Sequence, residues 1–228
     1  MLSISLAGHE ALLHATGALL LPAAGALLVA DAHFGKAVSY RKLGVPVPEA
    51  TTTATLHGLT KAIAETAARR VVFLGDFLHS ARSHARETLQ ALADWRQLHA
   101  HVDLTLVRGN HDARAGDPPP SLGIDVVDEP LRVGAFALCH HPRPVPGAYV
   151  LAGHWHPCVS VRGRAYDHLR LPCFWFGDDS GQPGAHAVGV LPAFGSFTGM
   201  HPIERREGDR LYAIADGHVR ALPAVTAA

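Results

Sequence analysis

Five short apolar segments of this chain run directly, or after one residue, into side chains that can bind metal ions. In sequence order these five groups are Asp31-Ala32-His33, Gly75-Asp76, Gly109-Asn110-His111-Asp112, His140-His141 and Gly153-His154-Trp155-His156. A run of about four to six apolar residues bounded by glycine is typical of a strand buried in a sheet. In α/β proteins, ligands collect at the carboxyl ends of such strands. The five groups therefore predict one site that binds more than one metal ion.

The donor atoms of these groups indicate both the metals and the reaction. Imidazole, carboxylate and amide ligands without a thiolate suit Mn²⁺, Fe, Zn²⁺ or Co²⁺ and disfavour an iron–sulfur cluster. Asp31 and His33 are two residues apart, which places both on one face of an extended segment, and His154 and His156 repeat this spacing. Asp76 supplies a carboxylate that can bridge two ions. Two ions about 3.5–4 Å apart can activate a bridging hydroxide for in-line displacement at phosphorus, so the groups predict phosphoester hydrolysis.

The third group also offers a proton donor. His111 directly follows Asn110 and needs only a short reach to protonate a departing alkoxide. Asp112, the next residue, could hold the required tautomer of that imidazole. Any one of these groups alone is more often structural than catalytic. Their recurrence after five apolar runs is what favours chemistry.

Size and composition favour one domain over residues 1–228, and they exclude several function classes. The chain has 20 basic and 20 acidic residues, so no overall positive field attracts nucleic acid, although a local groove can still be basic. Cys139, Cys158 and Cys173 form no CxxC pair, which favours the reducing cytoplasm. The apolar stretch around 19–30 lacks a basic leader and is too short to span a bilayer, so we expect no membrane association.

The pattern between the five groups alternates strands with helices, which predicts a largely parallel sheet. We expect one helix from Glu49 to about Ala68 and a second from about Ser83 to Ala100. The inward residues should be Leu56, Leu59 and Ile63 in the first helix and Leu89, Leu92 and Leu98 in the second. After Asp112 we expect short strands joined by turns. In this region we also expect a loop at 178–184 and a β-hairpin with its turn at Asp216-Gly217.

The five groups, in this order, resemble the motif set of the calcineurin-like metallophosphoesterases over roughly residues 28–157. The resemblance implies an α/β (α+β) fold, a four-layer α/β/β/α sandwich of two mixed β-sheets flanked by helices. It implies that one ion is held by Asp31, His33, Asp76 and His156, and the other by Asp76, Asn110, His140 and His154. It also implies that His111 is the catalytic histidine and that His141 is not a ligand.

The segments 30–36, 169–176 and 191–199 resemble a narrower family, the ligase-associated metallophosphoesterases of the PdeM group. That resemblance implies a phosphodiesterase that acts as a DNA endonuclease in DNA repair and the DNA damage response. We expect two Mn²⁺ ions as cofactors, DNA as the substrate with single strands included, and a cytoplasmic location. Association with a DNA ligase and a helicase, and a homodimer, are further expectations.

Three residues outside the ligand set have two interpretations each. Gly-Asp-x-x-His resembles a nuclease branch of the superfamily, in which the residue matching His79 faces the metals and assists catalysis. Alternatively, His79 caps the next helix or faces solvent. Lys36 could reach a substrate phosphate or belong to a solvated basic turn. Arg108 could contact a phosphate or form a surface salt bridge.

Aromatic and basic residues of the second half could contact a nucleic acid. Phe174, Trp175, Phe176, Phe194 and Phe197 could stack bases, but core packing or a subunit interface is the favoured interpretation. Arg162, Arg164 and Arg170 could line a groove or simply face solvent. Two alternative functions stay open on the sequence alone. The substrate could be a small phosphoester such as a nucleotide, or the chain could be a non-catalytic, metal-stabilised module of a repair complex.

Overall fold

A computed structural model describes residues 1–41, 44–47, 51–162, 168–177 and 187–224. The expected loop at 178–184 lies outside the described residues, and so does Arg164. Two mixed β-sheets pack face to face.

The first sheet has seven strands in sequence order. They are β1 (Leu2–Leu6), β2 (His9–Leu13), β3 (Leu19–Leu21), β4 (Ala26–Val29), β5 (Arg70–Leu74), β6 (Asp103–Val107) and β7 (Ile124–Val127). The strands β1 to β4 are antiparallel, whereas β4 to β7 are parallel. The expected parallel sheet is therefore found only in its second half. Short connections join β1 to β4, and only a longer crossover can join parallel neighbours.

Four α-helices lie in the first half of the described chain: α1 (Lys36–Arg41), α2 (Thr51–Thr66), α3 (Arg86–Leu98) and α4 (Asn110–Ala115). The helix α2 buries Leu56, Leu59 and Ile63 as predicted. In α3, Leu92 is buried, but Leu98 is 77% exposed, so its inward placement was wrong. The buried face of α3 runs through Leu92 and Trp95 to His99, the residue after Leu98. Successive residues are about 100° apart around a helix, so Leu98 faces solvent. No described helix is long and apolar enough to cross a membrane.

In the described residues, the second sheet contains nine strands, and all but β12 are short, as expected for the second half. They are β8 (Leu131–Val133), β9 (Phe136–Leu138), β10 (Tyr149–Ala152), β11 (Pro157–Arg162), β12 (His168–Phe176), β13 (Val188–Val190), β14 (His201–Pro202), β15 (Arg210–Ala215) and β16 (His218–Ala221). The predicted hairpin is confirmed, because β15 and β16 pair with Ala215 opposite His218.

The order of the layers is seen from the sheet face on which each apolar side chain is buried. The helices α2 and α3 pack on the outer face of the first sheet, while Phe174 and Phe176 fill the core between the sheets. This confirms the expected fold class of two mixed sheets flanked by helices, and it favours the core interpretation of these two aromatic residues. In the described residues, the outer face of the second sheet is covered by loop residues such as Val145 and Ile203 rather than by an α-helix.

The carboxyl ends of the two sheets meet at one edge. The backbone N–H of Leu191 donates to the carbonyl of Ala152, the last residue of β10, and the N–H of Phe194 donates to that of Ala30, which follows β4. This segment therefore ties the end of the second sheet to the end of the first. The five groups of metal-binding side chains all follow strands that end here: β4, β5, β6, β9 and β10.

Candidate metal centre

The structure brings all seven expected ligands together at this edge. Four sets of side chains have ligand atoms within 4.8 Å of one another. Two consist of expected ligands alone, Asp31, His33 and His156, and Asp31, Asp76 and His140, and the other two add further histidines: His33, His79 and His111, and His140, His141 and His154. Asn110 joins them, with its Oδ1 2.8 Å from Nε2 of His140. His154 also belongs, since its Nδ1 lies 3.0 Å from the same Nε2.

Two buried carboxylates form the centre of this arrangement. Asp31 is fully buried and Asp76 is 2% exposed. The Oδ1 of Asp31 lies 3.4 Å from Nε2 of His156, and neither atom has a hydrogen-bond partner. Unpaired buried groups of this kind are costly unless a cation satisfies them. The donor set and its two orphaned atoms therefore fit a divalent metal ion.

Asp76 lies between two groups of ligands. Its Oδ2 is 3.8 Å from Nε2 of His33, and its Oδ1 is 3.5 Å from Nε2 of His140. The Nδ1 of His140 donates to the carbonyl of Leu74, which directs Nε2 into the site. Burial lowers the pKa of His33, which keeps that imidazole neutral and able to bind a metal. Asp76 is thus placed as a carboxylate that both groups can share.

The backbone of the ligands differs from the extended segment that the sequence predicts. Asp31 and His33 have φ angles of 52° and 47°, and those of Asp76, His154 and His156 are 51°, 72° and 48°. The expectation that Asp31 and His33 share a face of an extended strand was therefore wrong. Left-handed backbone costs roughly 1–2 kcal/mol for a residue with a Cβ, and such strain is concentrated at functional sites. At each of these residues, the left-handed backbone directs the side chain into the site.

Three glycines allow the strand ends to approach the ligands closely. A Cβ at Gly75 would lie 2.2 Å from Nδ1 of His140, and one at Gly153 would lie 2.5 Å from Oδ2 of Asp31. A Cβ at Gly109 would lie 2.5 Å from Oδ1 of Asp76. The glycine of each motif therefore leaves room for a ligand that belongs to another strand.

His111 is oriented by a backbone carbonyl rather than by Asp112. Its Nδ1 donates to the carbonyl of His79 at 2.6 Å, and its Nε2 lies 3.9 Å from Oδ2 of Asp76. Asp112 is fully buried and accepts the N–H groups of Leu78 and Gly109. The expectation that Asp112 holds the tautomer of His111 was wrong, because the two side chains point in different directions from α4 and bond different groups.

The buried position of Asp112 changes the pKa of its carboxyl group. Burial raises the pKa of Asp112 to about 6, although the two amide donors act in the opposite direction. Its carboxylate joins the loop after β5 to the loop after β6.

His79 lies beside the metal-binding residues rather than capping a helix. Its ring stacks on His111 with a centroid distance of 5.1 Å and meets the ring of His33 edge-on at 5.3 Å. Burial lowers its pKa to about 4, helped by the charges of Lys36 and His111. Of the two interpretations of His79, the structure therefore favours the one that places it in the site.

Of the two basic residues expected to bind substrate, one lies at the site. Lys36 begins α1 and is partly buried, and burial lowers its pKa while Asp31 and Asp76 act in the opposite direction. Arg108 instead pairs with Asp117 at 2.9 Å and also with Asp128. The salt-bridge interpretation of Arg108 is therefore the one observed.

Glu129, which the sequence does not indicate as a functional residue, holds the fourth group, His140-His141, in place. Its carboxylate accepts the N–H groups of His140 and His141 at 2.8 and 2.9 Å, and it pairs with Nδ1 of His141. Burial raises the pKa of Glu129, but these hydrogen bonds outweigh it and keep that pKa below its usual range. His141 is thus engaged by Glu129, although a ring nitrogen of His141 also lies within 4.8 Å of ligand atoms of His140 and His154, so its exclusion from the ligand set stays a prediction. No pattern around Glu129 signals this role, because it precedes β8 in an irregular segment.

Comparison with protein-family models gives no match, and comparison with curated protein sequences gives none either. Among solved structures, the Pseudomonas putida nuclease MPE matches with a TM-score of 0.81 and 43% sequence identity. That match covers 97% of this chain and 99% of the nuclease. Yfce, a phosphoesterase from E. coli, matches with a TM-score of 0.40 and 13% identity over 88% of this chain and 99% of that one, too weakly to carry weight. Identity of 43% over nearly the full length of both chains confirms the resemblance that the motifs predict, and the protein belongs to the metallophosphoesterase family of that nuclease, whose members hydrolyse phosphoric esters.

Proposed function

We propose that this protein is a dinuclear metal-dependent phosphodiesterase that cleaves DNA. The observation that carries the proposal is the convergence of two buried carboxylates, Asn110 and four histidines from five strand ends, beside His111. The 43% identity with a nuclease supports a nucleic acid as the substrate. The molecule is proposed to be a single domain over residues 1–228.

The ligand sets are proposed as the family resemblance implies. Asp31, His33, Asp76 and His156 would hold one ion, and Asp76, Asn110, His140 and His154 would hold the other. When bound, such a pair of ions supplies a hydroxide nucleophile and neutralises the charge that develops at phosphorus. We propose Mn²⁺, although the same nitrogen and oxygen ligands also suit Fe, Zn²⁺ and Co²⁺.

His111 is proposed as the general acid. Because Nδ1 donates to the carbonyl of His79, the other nitrogen, Nε2, is the one that faces the site. A proton held at Nε2 can pass to the departing oxygen of the ester. His79 and Lys36, which lie on the same side of the centre, would contact the phosphate oxygens of the substrate.

The first experiment is hydrolysis by the Mn²⁺-loaded protein of single-stranded DNA, duplex DNA and bis-p-nitrophenyl phosphate. We expect cleavage of DNA and of the small diester. Hydrolysis of the small diester without DNA cleavage would instead favour a small phosphoester as the substrate. No hydrolysis of any of the three, with bound metal verified by elemental analysis, would favour a non-catalytic module.

A salt titration of substrate binding distinguishes a polyanion from a small ester. DNA contacted at several phosphates releases several counterions, so its affinity should fall steeply with salt. A small diester should show a shallow dependence. Equal and shallow dependences for both ligands would contradict DNA as the substrate.

The cellular context is proposed from the resemblance to ligase-associated metallophosphoesterases alone. It includes a role in DNA repair, association with a DNA ligase and a helicase, and a cytoplasmic location. A homodimer is proposed as well. Sedimentation of the purified protein measures the oligomeric state, and co-purification with the ligase measures that association.

A further inference from the structure

A cavity of about 260 Å³ opens beside the metal centre, on the outer face of the second sheet. Its walls include Pro142, Trp155, Trp175 and Ile203. Two of these are tied to the centre by the chain itself, since Trp155 lies between the ligands His154 and His156, and Pro142 follows His140 by two residues. None of these four residues has a part in the proposed hydrolysis.

Trp155 exposes an aromatic face that is held by a rigid neighbour. It is 39% exposed, whereas Trp95 and Trp175 are each 7% exposed. The rings of Trp155 and Trp175 lie 5.4 Å apart at 47°. Trp175 is fixed in turn, because its Nε1 donates to Oδ2 of the buried Asp209 at 2.9 Å. The exposed ring therefore belongs to a preformed wall of the cavity.

The remaining walls supply polar groups at the rim. Glu204 and Arg206 are exposed and line the cavity together with Asp209. A small apolar cavity with a few converging polar groups is typical of a ligand site. Its volume is just below the roughly 300–1,000 Å³ of pockets for drug-sized ligands, which suits a single planar group.

We propose that this cavity binds a nucleobase of the DNA strand, stacked on Trp155 beside the phosphodiester that is cleaved. The inference rests on the proposed function and adds a recognition site to it. A nucleobase is joined to its phosphate through one sugar, so a base site must lie next to the residues that bind the phosphate, as Trp155 does. Exposed aromatic rings bind bases of any sequence by stacking, and because Arg206 stands beside the acidic Glu204 and Asp209, stacking rather than charge would hold the base.

The first test compares two substrates of equal charge. Oligothymidylate and an abasic tetrahydrofuran oligomer of the same length carry the same phosphates and differ only in their bases. For the metal-loaded protein, we expect kcat/KM for oligothymidylate to exceed that for the abasic oligomer by about tenfold or more, as stacking energies indicate.

Variants of Trp155 then assign that preference to the cavity. Trp155→Ala should reduce the ratio of the two kcat/KM values towards one, and Trp155→Phe should retain most of it. Leu169→Ala is the matched control, because Leu169 is an exposed apolar residue of β12 that does not line the cavity, and it should keep the full ratio. A wild-type ratio near one, or an undiminished ratio in Trp155→Ala, would overturn the assignment while leaving DNA cleavage intact.

A second test measures the binding of a nucleotide without catalysis. Trp155 is the only one of the three tryptophans that is exposed, so thymidine 5′-monophosphate should quench the fluorescence of the metal-loaded protein. In Trp155→Ala the quenching should be lost, because the ring on which the base stacks is removed while Trp175 remains in the cavity wall as a reporter. If neither oligomer is hydrolysed, the proposed function fails, and the titration then decides on the cavity by itself. Absence of quenching in the wild-type protein, or quenching that persists undiminished in Trp155→Ala, would overturn the inference.

Discussion

The two nitrogens of the His111 ring have different surroundings, and this difference defines the chemistry available to it. Nδ1 donates to the carbonyl of His79, while Nε2 lies 3.9 Å from the carboxylate of Asp76. The sequence predicts His111 correctly as a residue beside the ligands, because it follows Asn110. It cannot predict that a carbonyl from the loop after β5 replaces Asp112 as the group that orients the ring. That contact depends on how the ends of β5 and β6 pack in three dimensions.

His111→Ala should retain both metal ions and lose turnover by about 10²–10⁴-fold on a thymidine dinucleotide, the usual contribution of a general acid. The loss should be smaller on bis-p-nitrophenyl phosphate, because p-nitrophenolate departs without needing a proton. Steady-state kinetics and elemental analysis of the same preparation measure both effects. Wild-type turnover of the dinucleotide by the metal-loaded variant would contradict the role of His111.

At the scale of elements, the site is made by strand ends from two sheets that interlock. The apolar runs and the glycines that follow them are visible in the sequence, so the five strands and their common edge can be predicted. The left-handed backbone at Asp31 and His33 cannot be predicted, because it is imposed by neighbours from other strands. The role of Gly153 is hidden for the same reason, since its contact, Asp31, lies more than a hundred residues away.

Gly153→Ala should destabilise the protein and reduce its metal content. The new Cβ would lie 2.5 Å from Oδ2 of Asp31 and 2.9 Å from Cβ of Ala30, neither of which can move far in the core. We expect the free energy of unfolding to fall by about 1–3 kcal/mol, as in other overpacked cores. Gly58→Ala is the control, because Gly58 lies in α2 and its new Cβ would meet Phe194 at an ordinary 3.5 Å. Equal urea midpoints for the two variants would contradict this explanation.

Asp112→Ala should lower stability whether or not metal is bound. It removes the acceptor of two buried N–H groups, those of Leu78 and Gly109. Each amide left unpaired costs about 1–3 kcal/mol. Asp125→Ala on the exposed edge of β7 is the control and should change the free energy of unfolding by less than about 0.5 kcal/mol. Urea unfolding in chelator and in Mn²⁺ makes the comparison, and a loss confined to the metal-bound protein would contradict a structural role.

At the scale of the molecule, the metal centre exists only when the two sheets pack against each other. The fold class could be predicted because strand and helix patterns are local. The covering of the second sheet by loop residues such as Val145 and Ile203 could not, since it depends on chain segments without regular periodicity. The shared core between the sheets links their stabilities, because Leu74 of β5 and Leu151 of β10 belong to one cluster.

The metal-free protein should therefore unfold in one cooperative transition. Trp95 reports on α3 and the first sheet, and Trp175 reports on the second sheet. Fluorescence of Trp155→Phe/Trp175→Phe and of Trp95→Phe/Trp155→Phe, each of which keeps one of these two reporters, should coincide with circular dichroism in urea within each variant. Separate transitions for the two sheets would contradict the proposal of a single domain.

The most direct test of the dinuclear centre is the metal content of Asp76→Ala, measured by elemental analysis beside hydrolysis of bis-p-nitrophenyl phosphate. Asp76 lies between both ligand groups, with its two carboxylate oxygens 3.8 Å from His33 and 3.5 Å from His140. The wild-type protein should bind two Mn²⁺ ions per chain and hydrolyse the diester. The variant should retain less than one ion and show no turnover. Two retained ions with undiminished hydrolysis would contradict a shared carboxylate at the centre of this site.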